Sequence, residues 1–256
     1  MKILRPFEEI KQTSKSLIMI GWLIMTFGIW GLCSSIGTTH MFPRIDQVLT
    51  GFSDLFREGL VVHIFSSLGL CFNAVLLSVI ISLILCYSSP IGALKPMSVF
   101  ISKLRYLPLA GISFYVGIFF QDARSIQVWV LVIFMTTYLV TSLLGMVADI
   151  PEEEFDHART LGCSRWEILW EILIKGRIDH VIELVRQNFA ILWMFIVTVE
   201  SILMAAGGLG TLIKNGDKLG NNGRTVAVQI IIIVIGVLFD WCLNKIRKIS
   251  FRYSSF

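Results

Sequence analysis

Four histidines (His40, His63, His157 and His180) and five cysteines (Cys33, Cys71, Cys86, Cys163 and Cys242) are the first places to look for metal or nucleophile chemistry in this 256-residue chain. None fits. The histidines have no ligand spacing, the cysteines form no Cys-x-x-Cys or Cys/His pattern, and no Ser/His/Asp grouping is evident; neither a metal site, a disulfide nor a catalytic residue is expected. Gly207-Gly208-Leu209-Gly210 lacks the Lys-Ser/Thr and the preceding strand of a phosphate loop, so it reads as a re-entrant or tight turn. Two features remain. Glu200 stands inside an apolar stretch, where a carboxylate costs about 2.5 to 3.5 kcal/mol on insertion scales and must face a bundle interior or a wet cavity. With Ser201 beside it and Asn73 in another apolar stretch, it is a candidate for the path of a polar solute. The competing role for Glu200 is a structural carboxylate hydrogen-bonded to a neighbouring helix, and for Asn73 simple packing.

The second feature is the long polar interval Asp149 to Lys175. Asp149, Pro151 and Glu152 form a helix start, because an Asp cap, an early proline and first-turn carboxylates all suit free N-terminal amides. Gly162 supplies the stop, since glycine takes the left-handed conformation without a Cβ penalty. Ser164-Arg165-Trp166-Glu167 then starts a second helix with a capping box. The spacing predicts two short helices meeting at a corner.

The rest of the chain positions these features in a membrane. Hydrophobic residues make up 55% and charged residues only 16%, against a usual charged share of about 25%. Apolar stretches near the length needed to cross a hydrocarbon core of about 30 Å recur along the chain. They lie at 17–37, 61–87, 106–120, 126–147, 188–206 and 225–243. The first follows a basic start but is longer than a signal core and lacks a cleavage signal, so it reads as an uncleaved span. The third is short, with Lys103 and Arg105 before it; either the cations snorkel, or Pro108 marks an irregular turn buried among other helices. Between spans one and two, Pro43 precedes Ile45, Val48, Leu49, Phe52, Leu55 and Phe56 at helical spacing, an amphipathic surface helix. Asp240 has Lys245 and Arg247 as plausible partners.

Six spans put both termini on one side. That side, with the 88–105 turn and the 149–186 loop, holds 16 of the 22 Lys and Arg, leaving six opposite. The bias places the termini and the Asp149 to Lys175 loop in the cytoplasm. No basic stripe with interleaved aromatics indicates nucleic acid.

The run Asp156-His157-Ala158-Arg159-Thr160-Leu161-Gly162-Cys163-Ser164-Arg165-Trp166 resembles the "EAA" loop of bacterial ABC importer permeases, whose pattern is Glu-Ala-Ala, three residues, then Gly. Asp156 replaces Glu, His157 replaces the first Ala, and Lys175 stands where the family usually has the proline of a Leu-Pro pair. Glu200 to Ile213, with its Gly-Leu-Gly, resembles the end of the fifth helix in the nitrate, sulfonate and taurine branch. Pro108 matches a proline-rich break in the third helix.

The resemblance covers about His63 to Lys248 and implies an all-α polytopic fold. Six transmembrane helices are expected, with a cytoplasmic coupling-helix loop between the fourth and fifth. The implied divisions are a cytoplasmic segment 1–16, a permease domain 17–248 with its coupling loop at 149–186, and a tail 249–256. It implies further that Asp156, His157, Ala158, Gly162, Cys163 and Ser164 engage a separate ABC ATPase subunit. ATP would bind on that subunit, with no cofactor on this chain, which has no Walker motif. The implied partners are a second permease copy or a paralogue, an extracytoplasmic solute-binding protein and the lipid bilayer. The setting would be a bacterial inner membrane and the cargo a small oxyanion such as nitrate, a sulfonate or taurine. Two other classes stay open: an ion-driven secondary transporter, which would carry paired broken helices and acids in both halves, and a non-transporting scaffold or sensor.

Overall fold

The computed structural model describes residues 12–36 and 43–250. Most of the expected 1–16 segment and the tail from residue 251 onward lie outside the described residues. In chain order the helices are α1 (Gln12–Ile36), α2 (Ile45–Arg57), α3 (Leu60–Ser88), α4 (Lys95–Lys103), α5 (Leu109–Phe119), α6 (Ala123–Ala148), α7 (Glu152–Thr160), α8 (Arg165–Ile168), α9 (Ile178–Ile202), α10 (Leu209–Lys218) and α11 (Asn222–Ser250). No strand occurs among the described residues. Among the described residues, five helices are long and apolar enough to cross a membrane. A sixth crossing results if Lys95–Tyr106 and Gly111–Phe119, bent by 118°, count as one broken span.

The bundle is assembled on α6. Its Val130, Leu131, Leu139 and Leu143 are fully buried, and α3, α5 and α9 pack around it. The Asp122 carboxylate fixes its start by accepting the Ser125 N–H at 2.9 Å. On α3 the buried face is made of small and apolar residues, Ser67, Leu70, Ala74, Ser78 and Ser82. Small side chains let two membrane helices approach closely, and the Ser78 hydroxyl donates to the Val132 carbonyl across that contact at 3.3 Å.

The third span takes the form of the irregular turn at Pro108. A short 3-10 segment, Leu104–Tyr106, ends α4, and Leu107 is extended (ψ 130°), as a residue before proline must be. Two other helices differ in their bounds from the sequence expectation. α9 starts at Ile178 rather than near 188, and α11 runs from Asn222 to Ser250 rather than 225 to 243. Both carry charged residues that pair inside the bundle's end. Glu183 holds Arg186 at 2.7 Å and Arg247, and Arg186 also reaches Asp240 at 2.5 Å. Asp240 therefore pairs with Arg186, not with Lys245 or Arg247.

The amphipathic helix between the first two spans is α2, which lays Val48 and Leu55 against the start of α11. The approach is close: a Cβ on Gly51 would stand 3.0 Å from the Arg224 backbone. Arg224 closes the contact by donating to Glu58 at 2.7 Å. α1 exposes Leu17, Leu23 and Ile24 along its length, with Trp30 donating to the Pro43 carbonyl at 3.1 Å.

Candidate functional site

Two sites emerge at opposite ends of α9. At its start lies the hinged loop. α7 begins at Glu152 with Pro151 as the flanking residue (ψ 138°), while Asp149, expected to cap it, instead closes α6. The three first-turn carboxylates Glu152, Glu153 and Glu154 suit the free amides and the helix dipole. α7 ends in a Schellman turn: the Cys163 N–H donates to the Ala158 carbonyl at 3.1 Å, the Gly162 N–H donates to Arg159 at 3.0 Å, and Gly162 takes φ +79°. Ser164 then caps α8. Its hydroxyl accepts the Glu167 N–H at 3.3 Å, and its own N–H donates to the Glu167 carboxylate at 2.7 Å. These bonds hold Glu167 below the ordinary carboxylate range.

The corner presents a surface. Leu161 is 83% and Trp166 70% exposed. Asp156 and His157 are exposed on the same short helix, Asp156 holding Arg159 at 2.7 Å, while Ala158 and Cys163 are half-buried in the turn. The loop sites named from the sequence thus occupy one contiguous corner. Beyond it, Leu169–Lys175 winds as a π-helix, and the Gly176 N–H donates to the Glu171 carbonyl at 2.9 Å. A Cβ at Gly176 would come 2.7 Å from the Ile172 carbonyl. The chain therefore breaks at Gly176 and Arg177 without the proline that Lys175 replaces, and Lys175 pairs with Glu171 at 2.6 Å.

Arg177 turns back to Glu154 at 2.5 Å, tying α7 to the residue that precedes α9. Behind it a cavity of about 540 Å³ is lined by Asp149, Asp179, Glu183, Arg177 and Arg247. Nothing in the local sequence announces the Arg177 contact.

At the far end of α9, Glu200 is fully buried and both of its oxygens are engaged. The Ser67 hydroxyl lies 2.7 and 2.9 Å from them, and the Gly210 N–H donates at 2.9 Å. Ser67 in turn accepts the Leu209 N–H at 2.9 Å, and His63 Nδ1 accepts the Gly208 N–H at 3.1 Å. The Gly-rich segment is thereby wrapped around a carboxylate. Gly207 and Gly208 take φ +75° and +115°, and a Cβ at Gly208 would overlap the Glu200 carboxylate. The turn then enters α10, a helix between the expected fifth and sixth spans that doubles back on α9 and α11. The Ser201 hydroxyl bridges the Val197 and Gly210 carbonyls at 2.7 and 3.0 Å. Arg124 braces the same end, donating to the Ser66 carbonyl at 2.5 Å and to Gln127 at 3.2 Å, and Gln127 donates to Leu203 at 2.7 Å. Asn73 is not part of this cluster. It faces outward on α3 beside the exposed Phe72 and Leu76.

A helical bundle with a hinged polar loop between two long apolar helices defines a multi-pass membrane protein. The model of the binding-protein-dependent transport system inner membrane component family matches residues 29–248. The chain belongs to that family. It is 24% identical over 148 residues to the taurine transport system permease protein TauC of Escherichia coli (strain K12). It is 27% identical over 162 residues to the nitrate import permease protein NrtB of Synechococcus elongatus. The matches cover 58% and 60% of this chain and span about half the length of these curated relatives, 51% and 57%. Among solved structures, a chain of the MetNI methionine ABC transporter superposes with a TM-score of 0.64 at 15% identity, covering 74% of this chain and 94% of that one. A chain of an amino acid ABC transporter solved with histidines gives 0.63 at 18% identity, covering 80% and 97%. The fold is that of ABC importer permeases, and the nitrate and taurine relatives agree with the branch resemblance.

Proposed function

We propose that this chain forms the translocation pathway of an ATP-driven importer in a bacterial inner membrane, as one of two permease copies or beside a paralogue. ATP binds on a separate ATPase subunit, an extracytoplasmic binding protein delivers the solute, and the cargo is a small oxyanion of the nitrate, sulfonate or taurine kind. The observation that carries the reading is the rigid corner at Gly162, which presents Leu161 and Trp166 on a helix pair tied to α9 through Arg177. An exposed apolar patch on a capped, charged loop is what a partner groove receives. Asp156, His157, Ala158, Gly162, Cys163 and Ser164 make up that docking element. Glu200 and Ser201 serve the pathway by fixing the turn into α10.

Affinity purification of the tagged chain from its own cells tests this. A nucleotide-binding subunit should co-purify, and Leu161→Asp with Trp166→Asp should release it while the permease still inserts. Orientation is tested separately with single cysteines introduced at Ser164 and Asn221. An impermeant thiol reagent should label intact cells only at position 221. Labelling at 164 would overturn the orientation and the ATPase contact together.

A further inference from the structure

A groove of about 870 Å³ lies between the loop and the end of the bundle, within the size range, about 300 to 1,000 Å³, that holds small-molecule ligands. Its walls are apolar: Val99, Leu144, Val147, Leu169 and Leu173. Its charged lining has one sign, for Lys95 and Arg165 are present and no carboxylate is. Neither cation has an ion-pair partner among the described residues, whereas Arg159, Lys175 and Arg177 of the same loop are each paired. The exposed Trp166 also borders the groove, which sits where α3 and α6 end at Ser88 and Ala148. That is the level at which apolar spans give way to water, where tryptophan indoles settle.

An apolar trough topped by two unpaired cations matches an amphiphile with an acyl tail and an anionic head. A soluble anion would leave the walls uncovered, and a neutral lipid would leave the cations unmatched. We propose that this groove binds an anionic phospholipid, its phosphate between Lys95 and Arg165 and one acyl chain along Leu144, Val147 and Leu169. Basic pockets between membrane helices recognise anionic headgroups by the same combination. The lipid would bridge α4 to α8 and so bias the tilt of the loop. The inference leans on the proposed function only in assigning the lipid to the cytoplasmic leaflet.

The full chain is reconstituted in phosphatidylcholine nanodiscs with or without phosphatidylglycerol, and retained lipid is counted by native mass spectrometry. Wild type should retain phosphatidylglycerol in preference to phosphatidylcholine. Lys95→Gln with Arg165→Gln should lower that preference roughly 25-fold, at roughly fivefold per cation. Lys95→Arg should keep it, as should Lys214→Gln with Lys218→Gln on α10, at the opposite end of the bundle. No preference in wild type, or an undiminished one in the double Gln variant at unchanged melting temperature, overturns the proposal. So does complete displacement of the lipid when the ATPase subunit is added, which would assign the groove to that subunit. Failure of the ATPase to bind at all would count against the coupling reading and leave the lipid measurement standing.

Discussion

Arg177 and Glu154, 23 positions apart, meet at 2.5 Å and join the loop helix α7 to the start of the long helix α9. The side chains are 21% and 44% exposed, so solvent screens them and the pair contributes no more than about 1 kcal/mol to folding. Its consequence is mechanical. With the π-helix and Gly176 breaking the chain between the two elements, the proposed coupling gives this ion pair the task of making α9 follow α7.

Charge reversal tests this. Glu154→Arg or Arg177→Glu should each leave insertion and melting near wild type, while ATP hydrolysis by the assembled transporter no longer responds to substrate. Combining the two restores the pair with its ends exchanged and should recover most of the response. A double variant as uncoupled as either single one would show that the contact transmits nothing.

The corner at Gly162 isolates a backbone effect, because a Cβ there would meet nothing within 4 Å. At φ +79° a β-branched residue pays a left-handed penalty of about 1 to 2 kcal/mol or re-aims the helix, whereas Asn tolerates that region. Gly162→Val should therefore insert at normal levels yet lose ATPase binding or coupled hydrolysis. Gly162→Ala should fall between Val and wild type, and Gly162→Asn should lie close to wild type. Equal coupling in all three variants would remove the corner from the transmission route.

The loop was legible in the sequence because its signals are local: a glycine stop, a serine cap and a glutamate three residues on all act within one turn. The contacts that give the site its shape are not local. Ser67 and Glu200 are 133 positions apart, and the apolar context of Glu200 marks it as exceptional without naming its partner. Charge likewise hid the first turns of α9, since Glu183 and Arg186 read as loop until Arg247 and Asp240 supply counter-charges from α11. α10 was concealed by its glycines. Gly207 and Gly208 lie in the turn, and the role of Gly208 appears only when the Glu200 carboxylate fills the space where its side chain would stand.

Acid should loosen the start of α8. Glu167 is a carboxylate held below its ordinary value by bonds to Ser164, so its contribution is fully present above the unfolded pKa of about 4.3 and fades as pH falls through the depressed folded value. The protection factor of amides in the first turn of α8, taken against the intrinsic exchange rate at each pH, should be highest at neutral pH and fall once the pH drops below the usual carboxylate range. Glu167→Gln accepts the Ser164 N–H without titrating, so its exchange should lack that transition. An identical acid transition in the Gln variant would assign it to another group.

The clamp at Glu200 makes a prediction about non-additivity. Glu200→Ala leaves the Ser67 hydroxyl and the Gly210 N–H buried without their acceptor, at about 1 to 3 kcal/mol each. Gly208→Ala drives a methyl into the carboxylate and strains a residue at φ +115°. Once the carboxylate is gone the methyl has room, so in the double variant only the backbone strain of the second change remains. Thermal melting in detergent should therefore show the double variant less destabilised than the sum of the single ones, the sign that two groups share one space. Glu200→Gln keeps one acceptor and should lose less than Glu200→Ala. If the Gln variant melts like wild type and only its cargo preference moves, the carboxylate touches the solute and is not the clamp. Additive losses in the double variant would mean that the glycine turn stands without Glu200, and α10 would then need another anchor.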